Sequence, residues 1–144
     1  MTKNHNLLPY EPVRKALKLK SAVDRGLQEI EVDKIVGSLG RDCEFSRSFL
    51  PKHNYTRERW QQVANLYDKP GFDPIRVYKV SEVYFVVDGN HRVSVSRTRG
   101  VRTIEAYVFE YQTSVSIHKD DDLDTILQKG ITREISITMR LHSN

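Results

Sequence analysis

Asp88-Gly89-Asn90-His91-Arg92 sets a carboxylate, a glycine, an amide, an imidazole and a guanidinium in five consecutive positions. The apolar run Val83-Tyr84-Phe85-Val86-Val87 precedes them, and His91 to Arg99 can coil into a short helix with Gly100 as its C-terminal cap. A strand that breaks at Asp-Gly and restarts as a helix leaves the helix's first N–H groups unpaired. Those donors, with the positive end of the helix dipole, form a ready anion site. Gly89 lets the backbone turn sharply and approach a ligand closely. His91 and Arg92 place basic side chains in the first turn, where they oppose the dipole; that local conflict is what a binding turn requires. Arg92 offers a fork of donors that fits a phosphate, and it is expected to be the main side-chain anchor. Asn90 can donate or accept, and His91 is the weaker donor. Asp88 could cap the helix or reach a metal through water. A plain helix-start turn, with Asp88 or Asn90 as cap and His91 and Arg92 merely exposed, accounts for the same spacing without a ligand.

Two more arginines, Arg41 and Arg47, lie in a segment broken by Gly37, Gly40 and Pro51, and are candidates for additional phosphate contacts. Surface solvation is the competing explanation for both. Asp88 and Glu44 are the candidate general bases, although nothing in the spacing singles either out. No metal-ligand cluster is evident, and the single cysteine, Cys43, forbids an internal disulfide and a cysteine zinc cage.

The elements that must position these residues follow from periodicity. Residues 11–27 carry Val13, Ala16, Leu17, Val23 and Leu27 at helical spacing, with Pro12 in the first turn and Gly26 near the end. Apolar alternation from Glu29 to Val36 predicts a half-buried strand. Phe45, Phe49 and Leu50 should pin the segment 37–56 to the core. Thr56 reads as an N-cap for a helix that carries Trp60, Val63, Ala64 and Leu66 to about Tyr67 and ends at Lys69-Pro70-Gly71. Residues 74–80 and 83–87 should form an antiparallel hairpin around Ser81-Glu82, and residues 104–109 a third strand. In the tail, residues 121–128 could form a short helix ended by Gly130, and 135–139 an edge strand or an oligomer contact.

Length and charge bound the classes. At 144 residues the chain suits one domain with its own core. The net charge of +4 favours phosphate-bearing partners weakly. Bases concentrate early, at Arg14, Lys15, Lys18, Lys20 and Arg25, and acids late, at Asp120, Asp121, Asp122 and Asp124. No apolar run approaches the ~20 residues a membrane helix requires, and residues 1–6 lead into no secretory core, so the expected compartment is the cytoplasm.

The run Pro74-Ile-Arg-Val-Tyr, Tyr84-Phe-Val-Val-Asp-Gly-Asn-His-Arg-Val-Ser-Val-Ser-Arg and Gly100-Val-Arg-Thr-Ile-Glu-Ala-Tyr-Val resembles the superfamily of ParB N-terminal domains and sulfiredoxins. The resemblance covers residues 29–110. It implies an α/β (α+β) fold of ParB/sulfiredoxin type: a small mixed sheet whose β-hairpin leads into a phosphate-binding turn and a short helix. Residues 1–28 would be an N-terminal helical extension and 111–144 a C-terminal one. At the turn, ParB-like proteins carry Gly-Glu-Arg-Arg, which cradles nucleotide phosphates, and sulfiredoxins carry Gly-Cys-His-Arg. Gly89 and Arg92 match both forms and His91 matches the second.

The departures carry as much meaning. Asn90 stands where sulfiredoxin has its catalytic cysteine, so no sulfinic-acid repair is expected. It also replaces the ParB glutamate, and Ser94 stands where ParB often has a further arginine, which sets the chain apart from ParB-type hydrolysis. No helix-turn-helix is evident after residue 110. The resemblance implies a nucleotide-binding regulatory or DNA-associated module using Gly89, Asn90, His91 and Arg92, with a nucleoside triphosphate and magnesium as ligands. The alternatives are a small-molecule kinase or nuclease of the same superfamily, and a scaffold whose turn is vestigial. The expected partners are a nucleotide, DNA and a second copy of the chain, and no membrane.

Overall fold

The structure, a computed structural model, describes residues 6–66 and 73–142. It is a mixed α/β fold. Strand β1 (Leu8–Pro9) leads into helix α1 (Tyr10–Leu17), followed by β2 (Ala22–Glu31), a 3-10 turn (Val32–Lys34) and β3 (Ile35–Ser38). Helix α2 (Asn54–Leu66) precedes β4 (Ile75–Val80), β5 (Val83–Asp88), α3 (Asn90–Thr98), β6 (Thr103–Tyr111) and α4 (Leu123–His142). The six strands form one mixed sheet in the order β1-β3-β5-β4-β6-β2. Among the described residues no helix is long and apolar enough to cross a membrane.

The hairpin forms as its alternation predicts. β4 and β5 pair antiparallel from Arg76–Asp88 to Val80–Val83, and β6 lies parallel to β4 on the other side. The sheet is covered on both faces. Ile30, Ile75, Val77, Val86, Ala106 and Val108 form one core with Val93 of α3 and with Phe45 and Phe49. Val80, Val83 and Phe85 form the other with Tyr10, Val13 and Leu17 of α1 and Ile126 of α4. The central strand β5 therefore runs Val83 to Val86 without a polar residue, as burial on both faces demands.

Four expectations from periodicity are corrected. The helix expected over 11–27 stops at Leu17, where Lys18 takes a left-handed conformation, and residues 22–31 are a strand. Nine residue pairs with β6 outweigh the local helical spacing, and Gly26 marks a bulge in that strand rather than a helix end. The single strand expected from Glu29 to Val36 is split by the 3-10 turn, whose Val32 N–H donates to the Arg102 carbonyl at 2.9 Å. That split has a geometric reason. β2 and β3 stand four places apart in the sheet, roughly 19 Å if it were flat, whereas three connecting residues span at most about 15 Å. The sheet must curl, and the turn is where the chain crosses. Leu50 is exposed, while Phe45 and Phe49 are buried as expected.

The tail is the fourth correction. Residues 123–142 form one helix that passes through Gly130, with no stop there and no edge strand at 135–139. Gly130 lies against α1: a Cβ on it would come within 2.7 Å of the Ala16 carbonyl oxygen. The residue that reads as a helix stop is a close helix–helix approach instead. Thr56, expected as an N-cap, is a buried first-turn residue of α2, which begins at Asn54. Tyr67 and Lys69-Pro70-Gly71 lie outside the described residues. The domain boundaries expected after residues 28 and 110 fall inside β2 and β6.

Candidate functional site

Gly89 takes φ 114°, ψ 26°, and α3 begins directly after it with no side-chain cap. A Cβ at residue 89 would lie 2.5 Å from Ile75 Cγ2, so the backbone must be bare here as well as left-handed. The first N–H groups of α3 open onto a cleft of about 170 Å³ lined by Arg41, Arg59, Val63 and residues 87–92. An uncapped helix N-terminus thus lies beside the cations Arg41, Arg59 and Arg92.

The side chains are not disposed as the spacing suggests. His91 and Asn90 are buried, at 8% and 4% exposure, rather than solvated. Neither ring nitrogen of His91 has a hydrogen-bond partner, nor does Asn90 Oδ1. The His91 ring meets the Phe45 ring edge-on at 5.1 Å between centroids. Burial and the nearby charges of Arg41 and Arg59 depress its pKa to about 4, with Glu44 opposing, so the imidazole is neutral at pH 7. A buried polar group without a partner typically costs 1–3 kcal/mol. Three such atoms sit at one helix N-terminus, each closed to solvent.

Arg92 is tied into the fold, not exposed. Its Nη1 donates to the carbonyls of Asp73 and Pro74 at 2.6 and 3.0 Å, and Nη2 donates to Asp88 Oδ2 at 3.1 Å. It clamps the start of β4 to the end of β5, and much of its donor fork is spent doing so. Asp88 is largely exposed on the other side of that ion pair.

Arg41 joins the cleft and Arg47 does not. Arg41 Nε and Nη2 donate to the two Glu44 oxygens at 2.6 and 2.8 Å. Thr56 Oγ1 donates to the same carboxylate at 3.5 Å. Arg47 instead donates to the backbone carbonyls of Lys119 and Asp121 at 2.8 and 2.7 Å, beside a separate cleft with Asp33, Arg97 and Asp120. Of the two candidate bases, Asp88 lines the cleft with His91, Glu44 acts on the imidazole through its charge, and both carboxylates are engaged by arginines. Among the described residues no three His, Cys, Asp or Glu side chains converge to hold a metal ion. The residues present do not form a magnesium cage.

Arg59 is the site residue that sequence reasoning missed. It stands on α2, thirty residues before the turn, and only α2 packing beside α3 brings it to the cleft. Its donor to Gln62 at 3.2 Å carries no counter-charge. The only available signal was the pair Arg57 and Arg59 on a helix expected to precede the turn in a compact α/β unit.

Together these features define a small α/β protein with an uncapped, cation-lined helix N-terminus after its hairpin. No family model matches the chain, and no curated protein matches it by sequence. Among solved structures it is similar to the C-terminally truncated chromosome-partitioning protein ParB from Caulobacter crescentus, complexed with CTP-gamma-S. The identity is 19% and the TM-score 0.42, over 77% of this chain and 53% of that one. The chain thus spans about half the length of that protein.

Proposed function

We propose that the chain is a nucleotide-binding module that holds the polyphosphate of its ligand at the N-terminus of α3. One observation carries the reading. Among the described residues, the buried groups at the turn without a hydrogen-bond partner are Asn90 Oδ1 and both His91 nitrogens, and their residues line the cleft together with Gly89 at the start of α3 and with Arg41 and Arg59. Helix N–H groups and arginines suit phosphate oxygens, and the neutral imidazole supplies one further donor. The acceptor at Asn90 suits a hydroxyl or amino group such as a nucleotide's ribose or base carries. Gly89 permits the close approach. Arg92 holds the turn and presents to the rim only the donors that Asp73, Pro74 and Asp88 leave over.

The test is a thermal-shift panel of nucleoside triphosphates, pyrophosphate and free nucleosides, each with and without magnesium. A ligand that binds only the native state at a hundred times its Kd adds about 2.7 kcal/mol, several degrees for a chain of this size. Triphosphates should shift the transition most, pyrophosphate less and nucleosides least. A panel without any shift contradicts the proposal.

A further inference from the structure

One arginine of the cleft, Arg41, is already paired with an anion of the protein that stands behind the cleft lining. Glu44 is mostly buried and accepts through both oxygens from Arg41, one of the cations that line the cleft. The two residues are three apart in the segment between β3 and α2, and Thr56 holds the carboxylate from α2. That segment is anchored at its ends. Lys52 N–H donates to the Glu44 carbonyl at 2.9 Å, and Ser94 of α3 donates through its hydroxyl to the carbonyl of Phe49. Glu44 therefore sits between two frames, one on α2 and one on α3, with its charge directed at the arginine a phosphate would need.

We infer that Glu44 is an internal competitor for Arg41, and that an anionic ligand binds by exchanging with this carboxylate. The inference rests on the proposed function and adds its regulation. In the free protein the Glu44 carboxylate takes two donors of Arg41, whose charge acts on His91 together with that of Arg59. When a phosphoryl group arrives, Arg41 turns its two donors from Glu44 to the phosphate, and Glu44 keeps its contact with Thr56. The exchange makes the site selective. A singly charged carboxylate ligand gains nothing by replacing a carboxylate already in place, whereas a pyrophosphate, with more charge and more acceptor oxygens, gains on both counts. The same exchange loosens the tie between Glu44 and Arg41, so occupancy is reported to the segment between Gly40 and Lys52.

The test is calorimetric titration of pyrophosphate into the full chain and into Glu44→Gln, Glu44→Asp and Glu58→Gln. Glutamine keeps the shape and one acceptor but removes the charge, so Glu44→Gln should bind pyrophosphate roughly tenfold more tightly. Its ligand-free form should melt lower, and pyrophosphate should recover more of the loss than in wild type. Glu44→Asp keeps the charge on a stem one methylene shorter, which cannot serve Arg41 and Thr56 together. It should fall between wild type and Glu44→Gln, and it tests the exchange if glutamine at 44 fails to fold. Glu58 is exposed on α2, and Glu58→Gln measures the general effect of removing one negative charge, expected within about twofold. If wild type binds while Glu44→Gln binds no more tightly than Glu58→Gln, the exchange is overturned and the nucleotide reading stands. If wild type does not bind pyrophosphate or any nucleoside triphosphate, both fail together.

Discussion

Helix α3 has arginines at both ends, and the two ends are chemically opposite. At the N-terminus stand Arg41 and Arg59, with Asn90 and His91 buried and unpartnered between them. Near the C-terminus stand Arg97, Arg102, Arg47 and Lys119, around Asp33 and Asp120. There Arg47, Arg97 and Lys119 already have partners. Arg47 donates to two backbone carbonyls, Arg97 to the Val32 carbonyl, and Asp33 lies 3.9 and 4.0 Å from Arg97 and Lys119. Cations at a helix C-terminus also complement the dipole, so they need no ligand to explain them. The lesson is that density of arginine does not mark an anion site. The sign of the dipole and the presence of unsatisfied groups do.

The largest effect should come from the glycines that bound the helix. Gly89→Ala adds a side chain at positive φ and drives its Cβ into Ile75, so a loss of about 3 kcal/mol, or roughly 10 °C in Tm, is expected. Gly100 also has positive φ, but a Cβ there meets nothing within 4 Å, so Gly100→Ala should cost about 1 kcal/mol. Thermal melts of the two variants check the pair. Equal losses would mean that the N-terminal end is not specially constrained.

Next come the arginines themselves. Arg41→Ala should weaken pyrophosphate binding about tenfold, since it removes a charge-assisted contact while freeing Glu44 behind the cleft lining. Arg47→Ala should leave binding within twofold but lower stability by about 2 kcal/mol, because two carbonyls lose their donor. Calorimetry and melting on both variants separate the two roles. The opposite pattern would move the site to the other end of α3. Arg92→Ala should do both, weakening the fold because it clamps Asp73 and Pro74 and weakening binding because it holds the turn.

The smallest effect is the dependence on pH. His91 has a folded pKa near 4 against an ordinary value of 6.5, so the stability it contributes is complete above 6.5 and is lost as pH falls towards 4. A bound anion beside the ring stabilises the protonated form and raises that pKa. Affinity should therefore rise as pH falls, by a few-fold between pH 7.5 and 5.5. Sulfate is the probe, because its own charge does not change in that range. His91→Gln should abolish the rise. A flat profile in wild type would place the anion away from His91.

How far the sequence alone reached can be followed residue by residue. The hairpin, Gly89 and α3 were legible because each depends on local signals: period-two alternation, a Gly after Asp, a Gly stop. Phe45 and Phe49 were legible as core anchors because large apolar residues in a broken segment have nowhere else to go. β2 was not, since residues 22–28 carry helical spacing and become a strand only by pairing with β6. α4 was not, since Gly130 and the alternation of Ile135, Ser136, Ile137 and Thr138 argue locally for a stop and a strand, and packing of Gly130 on α1 outweighs the first. At the site, the turn was legible but the roles were not. Exposure of His91 and Arg92 cannot be read from their position in a first turn, because His91 is covered by Phe45 from an earlier segment and Arg92 is held by the carbonyls of Asp73 and Pro74.

The central claim is that the N-terminus of α3, and not its C-terminus, receives the anion. The most direct measurement follows the His91 imidazole by NMR as pyrophosphate or a nucleoside triphosphate is added. The account predicts that the ring resonances move on binding, that the His91 pKa rises from about 4, and that Gly89 and Asn90 amides shift with it. Saturable binding that leaves His91, Gly89 and Asn90 unmoved while perturbing Arg97 and Gly100 would contradict it.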